Sequence, residues 1–529
     1  MSFSTAGLLP SDIILRILHM TFDGFKDDVY QWQLALSYLA ICQRWRNSLY
    51  KSLYSCAIAQ ALPTKHCDCC DHKHSFCNMD SNNIAICSNL GLIAANYSLV
   101  NVRRLVVNDA TCDRGIDLLQ CLVTALSLEQ NECPNLSLLK QLFCDTEQAR
   151  GSLISLESFQ AREIAAELVL ALAKRMPNIS NLTIEVSKSH NVLSEFATLL
   201  THRFVGQLTK LKYSGMAHIP TSSLVECRVA DLQLSINIDD DRTQPSILVY
   251  PKTLCKLSLQ IDKCNTRWNF FSQSSDVSNK NNVFDNLTTL RLAGDKFKYC
   301  WTDEAYLRSE SVKLPQLEFP KLNYLIIDHT SLNSAERQSL LRAPLKQINY
   351  HGLLKDLLVL CRQDISGLDE LSLKLSFKKD RGPDASFIGS INELFKNIGN
   401  IKVVHWEIDS NIFCFDINRI NWPHLTHLTI RTAIRIDMLF KIIDAVPNLN
   451  HLSLHLFTAT ENAMEKDAVF LDNLKQDYPV PSASKIKTLT LHYSRFMSHE
   501  YVAFLQIKIQ WFLPLLETVV VQGKRRFFY

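Results

Sequence analysis

Glycine is scarce in this sequence: the chain of 529 residues contains 14, and no two of them are spaced as G-x-G. That scarcity excludes the glycine-rich loops with which dinucleotide-binding and Walker-type proteins hold phosphate groups. The hydrolase motif G-x-S-x-G and the zinc-protease motif H-E-x-x-H are absent as well. Because the sequence contains no recognisable catalytic constellation, we expect neither an enzyme nor a small-molecule substrate.

An excess of charge of one sign is also missing, because 56 lysines and arginines stand against 53 aspartates and glutamates. A protein whose main ligand is a phosphate backbone usually carries a marked basic excess. Nucleic acid is therefore not the expected partner.

Long apolar runs are missing too. No uninterrupted stretch approaches the roughly 18 apolar residues of a membrane span, so we expect no membrane segment. No basic residue precedes Arg16, and Pro10, Ser11 and Asp12 break the first apolar stretch, which is unlike a secretory signal. We therefore expect a cytoplasmic or nuclear protein, in which most of the 17 cysteines are small buried apolar residues.

The sequence does contain one recurring phrase: an apolar residue, two variable residues, an apolar residue, one variable residue and another apolar residue, often after a proline. The clearest copies are PNISNLTI (177–184), PKTLCKLSL (251–259), FDNLTTLRL (284–292), PKLNYLII (320–327), PHLTHLTI (423–430) and PNLNHLSL (447–454). Weaker copies centre on Leu105, Leu142, Leu211, Leu232, Ile348, Leu371, Val404, Leu489 and Val519. The central residues lie from about 21 to about 40 residues apart, which indicates an uneven array.

The alternation within this phrase predicts a short strand at each L-x-L, with both apolar side chains in the core and the residue between them facing outward. Helical stretches such as 160–174 and 436–446 would cover the sheet. The predicted fold is therefore α/β: a short all-α N-terminal domain, then an irregular leucine-rich-repeat solenoid with a parallel sheet on its concave face. The alternative is an ordinary α/β fold whose strands happen to begin with leucine.

The first sixty residues follow a different pattern. Helical periodicity predicts amphipathic helices at 11–20 and 31–54, with Ser11 as the N-cap of the first. Their apolar stripes consist of Ile13, Ile14, Ile17 and Leu18, and of Leu36, Leu39, Cys42, Trp45 and Leu49. Packed together, these stripes could simply cap the N-terminal edge of the solenoid.

The same segment, LPSDIILRIL at 9–18 followed by AICQRWRN at 40–47, resembles the F-box. That family's pattern is a leucine and proline, an acidic residue, aliphatic residues up to an isoleucine–leucine pair, and later a cysteine, a basic residue and tryptophan. The matching residues are Leu9, Pro10, Asp12, Ile13, Ile14, Ile17, Leu18, Cys42, Arg44 and Trp45. The stretch between the two halves is longer than the family's usual connection.

An F-box followed by leucine-rich repeats is similar to the F-box/LRR proteins. In that family the F-box helices bind the Skp adaptor of a cullin–RING ubiquitin ligase, and the repeats hold the protein to be ubiquitinated. The resemblance thus implies a substrate-recognition subunit of an SCF-type (Skp, cullin, F-box) ligase with an unidentified protein substrate. The adaptor-binding residues that it implies are Leu9, Pro10, Ile13, Ile14, Ile17, Leu18, Leu36, Leu39, Cys42 and Trp45.

The domains expected on this basis are an F-box-like helical domain (1–58), a Cys/His-rich linker (59–96) and the leucine-rich-repeat solenoid (97–529). The alternative function is a leucine-rich-repeat scaffold for protein–protein interaction, in which the N-terminal helices only cap the solenoid.

A cluster of cysteine and histidine, HCDCCDHKHSFC, occupies 66–77. Cys67, Cys70, His74 and Cys77 could supply the four ligands of a structural zinc ion, and no other cofactor is expected. Their spacings are tight for wrapping one ion, so a polar linker with incidental thiols is the alternative. A zinc-dependent enzyme at this place is not favoured, because neither a nearby glutamate nor an open ligand position is visible.

The outward positions of the last full repeats are rich in histidine. They are His405, Glu407, His427, Thr429, Arg431, His451, Ser453, His455, Thr490 and His492. We interpret His405, Glu407, His427, Arg431, His451, His455 and His492 as partner-binding residues, because such a surface suits an acidic or aromatic segment and titrates near neutral pH. The alternative is that a solvated strand face simply tolerates histidine.

Overall fold

The structure is a computed structural model. It describes residues 56–63, 84–88, 103–109, 157–162, 178–185, 206–215, 227–237, 252–262, 282–294, 317–328, 340, 342–352, 367–375, 389, 394, 400–408, 422–456, 461–478, 480–493 and 499–523. The two helices predicted at 11–20 and 31–54 lie outside the described residues, as does the weak repeat at Leu142.

The chain forms an α/β structure of two compact units, Met1–Leu254 with Leu259–Ser274, and Cys255–Ser258 with Ser275–Tyr529. The strands of the first unit are β1 (Cys56–Pro63), β2 (Ile84–Ser88), β3 (Arg104–Asp109), β4 (Ser158–Arg162), β5 (Asn181–Glu185), β6 (Lys210–Gly215) and β7 (Asp231–Asn237). Strands β3 to β7 pair consecutively and in parallel. Strand β1 pairs in parallel with β3 and antiparallel with β2. Strand β8 (Lys256–Asp262) has residues in both units.

The second unit contains β9 (Asn282–Val283), β10 (Thr289–Gly294), β11 (Leu317–Glu318), β12 (Tyr324–Asp328), β13 (Gln347–Gly352), β14 (Glu370–Leu375), β15 (Val403–Ile408), β16 (His427–Ile434), β17 (His451–Leu456), β18 (Thr488–Tyr493) and β19 (Thr518–Gly523). Strand β10 and strands β12 to β19 pair consecutively and in parallel. Strands β9 and β11 form a separate parallel pair. The repeat-like parallel sheet that the sequence predicts is thus present in this unit.

The recurring phrase is buried as its spacing predicts. In the last proline-led copy, Leu449, Leu452 and Leu454 are each no more than 1% exposed, while Ser453 between them faces outward. The six clear copies all bury their three apolar residues to 3% exposure or less. Because each of these copies contributes the same inward pair, strands that pair directly share an apolar layer, which is why a single repeat would not be stable alone.

In three copies of the phrase, a turn explains the proline that comes first. The N–H groups of Leu322, Leu425 and Leu449 each donate to the carbonyl three residues earlier, on Phe319, Trp422 and Val446. Proline follows that carbonyl residue in all three cases, where its fixed φ suits the second position of a β-turn. The turn ends at the first buried leucine of the phrase.

The start of each strand is anchored to the strand before it through one shared carbonyl. The carbonyl of Thr426 accepts the N–H groups of Asn450 (2.9 Å) and His451 (3.0 Å), and the carbonyl of Asn450 in turn accepts those of Lys487 (2.9 Å) and Thr488 (3.1 Å). The same arrangement recurs from β3 to β7 and from β10 to β19. These bonds satisfy backbone groups that would otherwise be left without partners at the sheet margin.

Three helices follow the later strands: α1 (Ile436–Ala445), α2 (Glu461–Asp477) and α3 (His499–Phe512). The predicted helix 436–446 is thus confirmed, one residue shorter. Its buried Phe440 contacts Phe470 of α2, Tyr478 just after α2 and Phe512 of α3, with ring centroids 5.6, 5.8 and 4.9 Å away. The aromatic cluster joins the three helices into one layer.

The other predicted helix, 160–174, is wrong at its start. Residues Gln160 to Arg162 belong to β4, where Phe159 and Ala161 pair with Leu182 and Ile184 of β5. The segment carries one large apolar residue instead of the leucine pair, so its strand character is hidden. Residues 59–63 and 84–88, within the predicted linker, also lie in strands, namely β1 and β2.

Among the described residues, no helix is long and apolar enough to cross a membrane.

Candidate functional site

Strands β15 to β18 carry the residues that the sequence assigns to partner binding. The register aligns their outward side chains in three rows across the strands. The first row is Val403, His427, His451 and Thr488, and the second is His405, Thr429, Ser453 and Thr490. The third row holds Glu407, His455 and His492; its register partner for His455 on β16 is Ala433, while Arg431 lies just before that point and contacts Glu407. All seven residues predicted for partner binding therefore lie on one face of the sheet, which we call the histidine face.

The first row contains a pair of stacked imidazoles. The rings of His427 and His451 lie 4.3 Å apart between centroids and 15° from parallel. Adjacent parallel strands are separated by about 4.8 Å, so in-register histidines on neighbouring strands meet ring to ring. Burial lowers the pKa of His427, and the nearby His451 and His405 lower it further because a second positive charge would be unfavourable.

A hydroxyl fixes the orientation of the His427 ring. Thr426 Oγ1 donates to the carbonyl of Lys402 (3.0 Å) and lies 2.8 Å from His427 Nδ1. The tautomer of the ring decides whether Nδ1 donates to this hydroxyl or accepts from it.

The third row contains a second stacked pair, His455 and His492, with centroids 4.7 Å apart and planes at 30°. Burial lowers the pKa of His492, and the positive charge of Arg431 lowers it further. The rows holding the two stacked pairs are separated along β17 by four residues, about 13 Å of strand. The hydroxyls of Thr429, Ser453 and Thr490 lie in the row between them.

Glu407 is held between two cations. It forms ion pairs with Lys374 of β14 and with Arg431 Nη1, the latter at 3.3 Å. Burial alone would raise the pKa of Glu407, but the hydrogen bonds and charges of Lys374 and Arg431 hold it below its ordinary value. The carboxylate is therefore ionised at neutral pH, and the three groups together carry one net positive charge.

A bulge turns Arg431 toward Glu407. The register of β16 against β17 shifts between Ile430 and Ala433, so extra residues are inserted at this point. Arg431 reaches back to the preceding strand, and its side chain stays 64% exposed. An exposed guanidinium beside the hydroxyl row is well placed for an incoming anion.

The first two rows border a shallow depression of about 280 Å³. Its walls include His405, His427 and His451, the hydroxyl-bearing Thr429, Ser453, Thr488 and Thr490, and the apolar Val403, Leu428 and Leu452. The volume is at the lower end for a drug-sized ligand site. An open depression with this mixed lining suits side chains of a larger partner better than an enclosed small molecule.

Lys374 was not among the residues predicted for partner binding. The repeat phrase could have identified it, because Lys374 in ELSLKL has the same position as Glu407 in VVHWEI, and the register pairs the two residues. Further along the same row, His351 Nδ1 of β13 contacts Asp328 Oδ1 of β12 at 2.9 Å. The row of charged groups therefore extends beyond the four strands that carry the histidine face.

On the corresponding face of the first unit, two outward positions are buried. Val106 of β3 and Gln160 of β4 align with Thr183 of β5, yet Val106 is 0% exposed and Gln160 is 7% exposed. Those positions cannot contact a partner in this conformation, whereas His427, Arg431 and His451 are exposed.

The other predicted sites lie outside the described residues. This holds for all ten residues predicted to bind the adaptor and for the possible zinc ligands Cys67, Cys70, His74 and Cys77. Within the described ranges, no group of three or more histidine, cysteine or acidic side chains is placed to hold a metal ion.

No family model matches the chain, and no curated protein is significantly similar to it. The structure by itself defines the class: an α/β protein with a repeat-like parallel sheet and an open, histidine-rich polar face.

Proposed function

We propose that this chain is an F-box/leucine-rich-repeat protein of the cytoplasm or nucleus that acts as the substrate-recognition subunit of an SCF-type ubiquitin ligase. Its N-terminal helices would bind the Skp adaptor of a cullin–RING ligase, and its leucine-rich-repeat solenoid would hold the protein to be ubiquitinated. Neither task needs a chemical step from this chain.

The observation that carries the proposal is the order of two features. A motif similar to the F-box comes first at 9–18 and 40–47, and it is followed by a stack of parallel strands built on one recurring leucine phrase. The histidine face supplies the second requirement, an exposed and chemically distinctive surface built from other residues than that motif. Exposed polar and charged side chains on a rigid sheet are suited to selecting one protein partner.

Co-purification with the Skp adaptor tests the first half of the proposal. We expect the full-length protein to retain the adaptor and a variant with alanine at Leu9, Pro10 and Trp45 to lose it. The matched control carries alanine at residues 26–28, in the polar stretch between the two halves of the motif, and should bind as the wild type does. Failure of the wild-type chain to bind the adaptor would end the ligase proposal.

The second candidate is a leucine-rich-repeat scaffold whose N-terminal helices only cap the solenoid. The repeat-like sheet favours it, because the end of such a stack needs a cover over its unpaired strand edge. It predicts no adaptor binding, and it predicts that the triple alanine variant loses thermal stability. Under the ligase proposal, adaptor binding is lost in that variant even where its unfolding temperature stays that of the control.

A further inference from the structure

We propose that the histidine face binds an acidic, extended segment of its partner protein and takes up protons as it does so. The inference rests on the target-binding role proposed above and deepens it by naming the chemistry of the bound segment. Its basis is the arrangement of charges and hydrogen-bond donors on β15 to β18.

The first step is the charge balance of the face. Among the outward positions of these four strands, all of them described, Glu407 is the one carboxylate, against Arg431 and five histidines. With the histidines neutral, the formal charges of Arg431 and Glu407 cancel, as do those of Lys374 and Glu370 on the adjoining β14. Each proton that the histidines take up therefore makes the face positive, so an acidic segment meets attraction and a basic segment meets repulsion.

The second step is the supply of donors. Three hydroxyls, on Thr429, Ser453 and Thr490, lie in the row between the two stacked histidine pairs. Hydroxyl groups can donate to carboxylate oxygens, and Arg431 can donate two parallel hydrogen bonds. The four strands span about 14 Å, which matches roughly four or five residues of an extended chain. The bound segment would therefore carry several acidic side chains in a short stretch.

The third step is proton uptake. The charged and titratable groups facing these rows are His405 and Glu407 on β15, His427 and Arg431 on β16, His451 and His455 on β17, His492 on β18, and Glu370 and Lys374 on β14. Two imidazoles stacked at 4.3 Å resist carrying two charges together. A carboxylate placed against them reduces that penalty, so the stacked pairs take up protons when the segment binds.

An anionic peptide on the full-length purified protein tests this directly. The probe is a fluorescently labelled oligoglutamate of about eight residues, and oligoglutamine and oligolysine of equal length are its matched controls. Fluorescence polarisation should show oligoglutamate binding on the order of tenfold tighter at about pH 6 than at about pH 7.5, the change expected for roughly one proton taken up. Neither control peptide should bind comparably.

Substitutions on the histidine face test whether the peptide binds there. His427→Gln with His451→Gln should reduce the pH dependence, because the His455–His492 pair remains, and should weaken binding at the lower pH. Arg431→Gln should weaken binding at both pH values. His424→Gln, at an exposed histidine in the turn ahead of β16, is the control and should change nothing. Unfolding temperatures of all variants should equal that of the wild type, since these side chains are at the surface.

Several outcomes would overturn the inference: no binding of oligoglutamate, equal binding of oligoglutamine, binding that is independent of pH, or unchanged binding in the double glutamine variant. Tighter binding of single-stranded DNA at the same residues would also overturn it, in favour of a nucleic-acid ligand. The adaptor plays no part in this assay. Peptide binding without adaptor binding would therefore support this inference and contradict the ligase proposal. Adaptor binding without peptide binding would support the ligase proposal and contradict this inference.

Discussion

Replacing Asp467 of α2 with asparagine should make the protein more stable at neutral pH. Burial raises the pKa of this carboxyl from its usual 3.8 to about 6; Arg435 opposes the shift, and Asp437 adds to it. Tyr493, whose side chain is almost completely buried, and Tyr501 also lie near the carboxyl, and its charge raises the pKa of both phenols. The folded chain thus holds Asp467 where its ionised form is unfavourable.

The sign and size of the effect follow from that shift. Below about pH 4 the carboxyl is protonated in both the folded and the unfolded chain, so it costs nothing. As the pH rises to about 6, the unfolded chain ionises first, and the free energy of unfolding falls. The full shift corresponds to about 3 kcal/mol, and screening by solvent at this partly exposed group reduces the expected loss to about 1 to 2 kcal/mol.

Denaturant unfolding of the wild type and of Asp467→Asn from about pH 4 to about pH 7.5 measures this difference. We expect equal stability at the acid end and a widening advantage of the variant above it. Asp472→Asn is the matched control on the same helix: its exposed carboxylate pairs with Lys508 at 2.9 Å, and its loss should cost no more than about 1 kcal/mol. Parallel curves for the wild type and Asp467→Asn would refute the reasoning.

Three further outcomes follow from the packing and the motifs. Leu452→Ala, at a fully buried inward position, should cost about 2 to 5 kcal/mol in denaturant unfolding, whereas Ser453→Ala on the outward side should cost less than about 0.5 kcal/mol. Gly352→Ala should cost about 1 to 3 kcal/mol, because its new methyl carbon would lie 2.8 Å from the hydroxyl of a buried tyrosine, while Gly206→Ala meets nothing and should be neutral; thermal unfolding compares them. If residues 66–77 bind structural zinc, metal analysis of the purified chain should find about one ion per molecule and chelation should lower the unfolding temperature; a metal-free, folded protein would contradict it.

The strands could be predicted because their signal is local. Each clear copy of the phrase places three leucine-like residues where burial requires them, and Leu449, Leu452 and Leu454 show how closely spacing and burial agree. Strand β4 escaped prediction because SFQAR offers one large apolar residue and sits where helical periodicity begins. Its strand character comes from pairing with β3 and β5, which are distant in sequence.

The histidine face was predictable as a set of outward residues but not as a set of contacts. The alternation places His427 and His451 on the same side of the sheet, yet their stacking depends on the register between two strands. The bulge that turns Arg431 toward Glu407 leaves no mark in the repeat phrase. Contacts of this kind depend on the exact pairing of neighbouring strands, which a single sequence does not encode locally.

The shared carbonyl fixes where each strand starts against the strand before it. The number of residues that connect the two strands can therefore vary. Thr426 anchors the start of β17 whatever the number of residues between the two strands. Residues can therefore be gained or lost between strands over generations without remaking the core, while a single insertion between Leu449 and Leu452 would turn every later side chain of that strand to the wrong face. Tags and reporter domains should be tolerated between strands outside the buried helices, and the strands themselves should resist any change of length.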